Sequence, residues 1–221
     1  MTAESGTRVV TTTLPTIPLP QDLKCSIIRT ERLIIRPLQH GDVQSLHELR
    51  TQPEAMAGTR LGKIDRDLEE TRVVLASLIN SAERSFLFGV FLASTGEFIG
   101  EGGVHSIISD VGWPEIGYKI KREYWGRGYA TEFLHGILDA WWHLPRRAVD
   151  VEILSLAIGA GETEEHIYAN ADIENVGSQR VLEKLGFKRI RVWTEPDTQL
   201  HRLGQQVTLV GFTLARPQLV P

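Results

Sequence analysis

Cysteine is almost missing from this 221-residue chain: the single Cys25 permits no intramolecular disulfide, and an intracellular setting is expected. No apolar run approaches the roughly 18 residues needed to span a bilayer, and the first residues lack the charged-then-apolar layout of a signal peptide. The expected location is therefore the cytoplasm, with no membrane partner. Neither sign of charge dominates, since 24 Lys and Arg face 28 Asp and Glu for a net charge of -4, so nucleic acid is not an expected partner. His135, His143 and His166 show no metal-ligand spacing with Cys25, and no metal is expected. What is present is ordinary globular composition, 42% hydrophobic and 24% charged, in a chain long enough to bury a substantial core.

Residues 1–24 are rich in Thr and Pro, and prolines 15, 18 and 20 oppose regular structure, so a mobile arm is expected there. SIIRTERLIIRPL (26–38) has strand composition and stops at Pro37. Asp42 reads as the N-cap of a helix bearing Val43, Leu46 and Leu49, and a second helical period runs through Leu68, Thr71, Leu75, Leu78, Ile79 and Ala82. FLFGVFLA (86–93) and GEFIGEGGVHSI (96–107) flank the hairpin signal Ser94-Thr95-Gly96, and EIGYKI (115–120) follows as a short strand. Helical spacing of Ala130, Phe133, Leu134, Ile137, Leu138 and Trp141 predicts a helix over 129–143, in which Trp141 and Trp142 serve packing. A strand at AVDVEIL or at EHIYANA, a helix from about Val176 to Lys184, and two last strands at FKRIRVW and QVTLVGFTLA complete the order β-αα-βββ-α-β-α-ββ. The fold class is a mixed α/β sheet.

Between EIGYKI and the long helix lies YWGRGYATE (124–132). Gly126 and Gly128 let successive amides turn toward one point without a Cβ in the way, and the first amides of a helix lack intrahelical acceptors. With the helix dipole and Arg127 at the rim, Trp125 to Thr131 form a candidate pyrophosphate cradle. The same glycine pair also suits a plain tight turn. No GxxxxGK[ST] is present, and Thr131 stands where GxGxxG needs its third glycine.

Trp125-Gly-Arg-Gly-Tyr-Ala130 after EIGYKI resembles the acyl-CoA pyrophosphate motif [Q/R]xxGx[G/A] of the GNAT superfamily of N-acetyltransferases: Gly128 and Ala130 match, and Trp125 replaces the Gln or Arg. RTERLIIRPL and NVGSQRVLEKLGF (175–187) resemble the subgroup of RimJ/RimL type, which modifies α-amino groups of ribosomal proteins. The resemblance spans roughly residues 27–214. It implies a GNAT fold in which the family's fourth and fifth strands splay apart around the pantetheine arm of acetyl-CoA. EIGYKI is the implied fourth strand, presenting backbone groups of Tyr118 and Ile120, and the strand ending near Ala169–Ala171 is the fifth. Tyr129 and Thr131 complete the implied cofactor set with Asn175, which also suits a helix N-cap. Gly186 suits a left-handed helix end and no chemistry.

Acetyl transfer requires the acceptor ammonium to lose a proton and the departing thiolate to meet a donor. Glu115, opening the strand beside the reaction centre, is the first candidate base and equally suits a solvated residue after Pro114. His105 and Glu101 share a face by two-residue alternation and are runners-up, His105 also suiting a structural role. The tyrosine that many GNAT enzymes place four residues before the closing Gly-Phe is here Leu182, and Ser178, one turn earlier on the same face, is the candidate donor toward sulfur or a small polar residue of the first turn. Cys25 lies outside all three motifs, so direct transfer in a ternary complex is expected, not an acyl-cysteine.

The implied layout is an arm at 1–24, a GNAT domain at 25–216 and a tail at 217–221. The loop 158–166 lengthens the approach to the fifth strand beyond what the fold needs. The expected acceptor is a primary amine, either a protein N-terminus or a small metabolite, polyamine or antibiotic amine, and the chain is expected as a monomer or homodimer. A noncatalytic acyl-CoA-binding module is the rival reading.

Overall fold

The computed structural model describes residues 6–20, 26–81, 84–155 and 164–217. The strands are β1 (Thr7–Pro15), β2 (Ile28–Arg29), β3 (Leu33–Arg36), β4 (Phe86–Leu92), β5 (Phe98–Ser106), β6 (Glu115–Ile120), β7 (Arg146–Leu154), β8 (His166–Asp172), β9 (Lys188–Pro196) and β10 (Gln206–Ala215). The helices are α1 (Val43–Arg50), the single turn α2 (Pro53–Met56), α3 (Leu68–Asn80), α4 (Tyr129–Trp142) and α5 (Val176–Lys184). Eight strands form one sheet in the order β2-β3-β4-β5-β6-β8-β10-β9, and β1 and β7 form a separate ribbon. Every pairing is antiparallel except β6 with β8. The expected mixed α/β sheet is what the chain adopts.

Alternation along the strands decides what lies on each face. Ile167 and Ala169 join Ile116, Ile120 and the apolar stripe of α4 (Phe133, Leu134, Ile137, Leu138, Trp141) with Leu182 of α5 in the main core. Trp142 is buried in the same core, so both tryptophans do pack. On the other face Leu46 and Leu49 of α1, Leu75 of α3, Phe91 and Phe98 form a second core. Asp67 caps α3, its Oδ1 accepting the Glu70 amide at 2.9 Å.

Four expectations change. First, the segment 7–15 is not an arm: β1 pairs with β7 over its whole length, from Thr7↔Leu154 to Pro15↔Arg146. The prolines that oppose structure fall at its end and beyond, while TRVVTTT is β-branched and strand-prone. The ribbon buries Leu14, Val151 and Ile153 against Val111, Trp113 and Tyr168 in a third core. Second, both AVDVEIL and the stretch before Ala171 are strands: β7 serves the ribbon and β8 the main sheet. Third, 26–38 holds a hairpin of two short strands, because the Thr30 hydroxyl accepts the Leu33 amide at 3.1 Å and turns the chain. Fourth, Asp42 precedes α1 without capping it: its carboxylate accepts Arg36 at 2.7 and 2.8 Å and the Gln39 amide at 2.7 Å. Cys25, Ala82 and residues 158–163 of the long loop lie outside the described residues.

Leu14 is the buried apolar residue that β1 contributes to the third core, beside the partly buried Val10, so Leu14→Ala is expected to lower the unfolding free energy by about 2–3 kcal/mol. Urea unfolding measures it, and an unchanged midpoint would mean that the ribbon does not share the domain's cooperative unit.

Candidate active site

The segment 124–132 places a loop directly between β6 and α4. Gly126 and Gly128 both take left-handed backbone, at φ of 71° and 82°, where an L side chain is strained. A Cβ on Gly126 would meet nothing within 4 Å, so the space above that backbone is open. The first intrahelical bond of α4 runs from the Glu132 amide to the Gly128 carbonyl at 3.1 Å, which leaves the amides of Tyr129, Ala130 and Thr131 without helical acceptors. Donors, open space and the positive end of a 14-residue helix thus meet at one place, as an anion site requires.

Two residues the sequence reading passed over shape this cradle. Arg32, from the β2–β3 hairpin, donates to Glu132 at 2.7 Å and to the Arg127 carbonyl at 3.0 Å, and its guanidinium stacks 4.6 Å from the Tyr129 ring centroid. Glu132 also accepts the Thr30 hydroxyl at 2.6 Å and the Arg32 amide at 2.7 Å. Burial pulls the Glu132 carboxyl upward, but these donors outweigh it and hold it below the ordinary glutamate value. Tyr124 donates to Glu97 at 2.5 Å, and that bond pushes its phenol up to about 12. The loop is therefore tied to two hairpins distant in sequence. Trp125 turns back, its indole N–H donating to the Ile120 carbonyl at 2.7 Å, so that carbonyl is already occupied.

Beyond the cradle the sheet opens. β6 and β8 are bridged only at Glu115↔Tyr168, supported by the Tyr168 amide on the Pro114 carbonyl at 2.7 Å. The Lys121 amide binds the Ile99 carbonyl of β5, so by alternation the backbone groups of Tyr118 and Ile120 turn the other way, toward the gap. At the far side of the gap α5 begins, with Asn175 Oδ1 accepting the Ser178 amide at 3.0 Å. Asn175 is a cap, and Gly186 ends the helix at φ 88°.

Side chains collect on both faces of the gap. On one face Asn170 Nδ2 donates to Glu115 Oε1 at 2.7 Å, while His105 Nε2 stands 3.6 Å from Glu115 Oε2. The structure thus brings Glu115 and His105 together. Glu101 shares their face but is buried in an ion pair with Lys119, which leaves Glu115 as the accessible carboxylate of the group. On the opposite face the Tyr118 hydroxyl meets Ser178 Oγ at 3.1 Å. Burial raises the Tyr118 phenol, outweighing the Ser178 hydrogen bond, so it stays protonated at neutral pH. Leu182, at the expected tyrosine position, is fully in the core.

Two loops wall the open end. Gln199 Nε2 donates to the Ala57 carbonyl at 2.6 Å, the Thr198 hydroxyl to the Arg60 carbonyl at 2.7 Å, and the Leu200 amide to the Leu61 carbonyl at 2.9 Å. Arg202 ties the same β9–β10 loop to Asp172 at the end of β8 at 3.0 Å. No sequence signal announces this docking, because backbone carbonyls do half of the binding.

A loop of anion-facing amides leading from a split sheet into a helix defines an acyl-CoA-dependent transferase. The model of the family described as "Acetyltransferase (GNAT) domain" matches residues 32–188, and the chain belongs to that family. It is 27% identical over 165 residues, 72% of its own length and 81% of the relative's, to the uncharacterized N-acetyltransferase p20 of Bacillus licheniformis. Among solved structures it is similar to a GNAT-family acetyltransferase of Bacillus anthracis (TM-score 0.65, 20% identity, covering 86% of this chain and 99% of that one). It is also similar to Mycobacterium smegmatis RimJ in complex with CoA-disulfide (TM-score 0.61, 19% identity, covering 86% and 84%). The protein is an acyltransferase enzyme of the GNAT type, and its family implies acetyl-CoA as donor. No helix among the described residues is long and apolar enough to cross a membrane, and no group of three or more His, Cys, Asp or Glu is placed to hold a metal ion there.

Gly128→Val should weaken acetyl-CoA binding at least tenfold in a calorimetric titration, with circular dichroism confirming a folded chain; intact affinity would remove the cradle. Because the Glu132 carboxyl is depressed on folding, its stabilisation is present above about pH 4.3 and is lost as the pH falls through the folded value. Glu132→Gln should therefore lower the melting temperature at pH 7, with the difference from wild type closing in acid. A difference independent of pH would show that the carboxylate charge is not what holds the loop.

Proposed function

We propose that this enzyme moves an acetyl group from acetyl-CoA directly to the α-amino group of a protein, in a ternary complex. The observation that carries the reading is the single bridge between β6 and β8, with the phosphate cradle beyond one strand and an accessible carboxylate at the point of divergence. The cradle fits a pyrophosphate: Trp125 to Thr131 supply the open backbone, Arg127 and Arg32 supply charge, and Tyr118 offers backbone groups along the gap. Asn175 stands where the pantetheine arm would pass.

Bound acetyl-CoA supplies the acetyl group as a thioester. Glu115, held by Asn170, accepts one proton from the incoming ammonium and passes it to solvent, with His105 beside it as a relay or structural neighbour. The nitrogen lone pair forms the new C–N bond, the C–S bond breaks with its electron pair on sulfur, and the second nitrogen proton ends on the thiol. Ser178 faces that sulfur. An α-amino group titrates near 7.7–8.0 and a lysine near 10.4, so a lone carboxylate in water-accessible surroundings suits the former, roughly 2.5 units easier to deprotonate. The resemblance of RTERLIIRPL and NVGSQRVLEKLGF to the RimJ/RimL type favours the same acceptor class. A cytoplasmic chain, monomeric or homodimeric, fits this work.

Titration with acetyl-CoA, CoA and a longer acyl-CoA, followed by a screen of N-terminal peptides against polyamines and small amines, tests the proposal. Saturable donor binding with peptide turnover supports it; binding without turnover on any amine would leave a noncatalytic module, and turnover on small amines alone would move the acceptor. Glu115→Gln should lower kcat by about 100-fold or more at unchanged acetyl-CoA affinity.

A further inference from the structure

Ser178 poses a problem of direction. A serine hydroxyl carries one proton, and its oxygen must be held if that proton is to point at a chosen atom. Its backbone amide is already bound to Asn175 Oδ1, which fixes the first turn of α5 but leaves the hydroxyl free to rotate. The group that meets it comes from across the gap: the Tyr118 hydroxyl, 3.1 Å away, on the strand that flanks the opening. Tyr118 is partly buried against the main core, so its ring is held by packing.

We infer that Tyr118 is a positioning residue for acetyl transfer, its phenolic O–H donating to Ser178 Oγ so that the serine proton is aimed at the thioester sulfur. The inference rests on the acetyltransferase reading of this gap. Of the two hydroxyls the phenol is the more acidic and the stronger donor, and its protonated state at neutral pH keeps that direction of donation. The position one turn along α5 that would carry a tyrosine is filled by buried Leu182, so the phenol arrives from β6 instead of from the helix. As the C–S bond breaks and the electron pair stays on sulfur, the serine hydrogen bond stabilises the developing thiolate. No proton need leave the tyrosine.

Tyr118→Phe keeps the ring and removes only the donor. It should leave acetyl-CoA affinity within about threefold, lower kcat by about tenfold, and add nothing to the loss caused by Ser178→Ala when the two are combined, because neighbours acting as one unit are not additive. Independent of any acceptor, the thiol of bound CoA, followed by thiolate ultraviolet absorbance against pH, should titrate higher in Tyr118→Phe by about half a unit or more, the equivalent of one lost hydrogen bond. An unchanged kcat with an unchanged thiol titration overturns the inference alone, as do fully additive losses. Failure of the wild-type chain to bind CoA overturns the acyl-CoA site, and this inference falls with it.

Discussion

The molecule depends on one place where a sheet fails to stay a sheet. β6 and β8 run parallel and share a single bridge, Glu115↔Tyr168, before they part. Each is secured on its outer side, β6 by β5 and β8 by β10, so only the backbone groups that face the gap are left for water or a bound acyl-CoA arm. Exposed backbone polar groups are costly only when buried without partners, and a gap open to an acyl-CoA arm leaves them none of that cost when filled. The cradle at the end of β6 and the start of α5 at the end of β8 inherit their positions from this divergence.

The divergence also sorts the chemistry by face. Alternation along six residues of β6 puts Glu115 on the side of Asn170 and His105, and Tyr118 on the side of Ser178. The proposed proton acceptor and the proposed partner of the leaving sulfur are thereby kept apart by the strand itself. The cradle, in contrast, is held from outside: Arg32 and Glu132 join the β2–β3 hairpin to α4, and Tyr124 joins the loop to Glu97. A charge-assisted pair of this kind fixes a loop whose glycines would otherwise leave it free.

What could be read in advance follows from local physics. Strand β6 and helix α5 match their sequence patterns to the residue, since each is a short periodic run bounded by strong breakers, Pro114 before one and Gly186 after the other. The open loop ahead of α4 was legible because bare left-handed backbone shows up as glycine. The hairpin within 26–38 was not, because its turn is made by a threonine side chain and a glutamate about a hundred residues away. Nor was the ribbon: Thr11 of β1 bonds Asp150 across 139 residues, and no local pattern tells a chain which of two apolar stretches such a strand will choose.

The sequence by itself determined the class of sheet and the glycine-opened loop ahead of a long amphipathic helix, both carried by spacing and residue type, and its resemblance to the GNAT family implied that Leu182 stands where a helix tyrosine is common. Only the tertiary structure decided that Arg32 and Glu132 hold the cradle, that Glu101 is committed to Lys119 while Glu115 remains available, and that Tyr118 reaches Ser178. These are pairings between side chains brought close by strand register and helix docking. Periodicity fixes which face a residue takes, but only packing fixes whom it meets there.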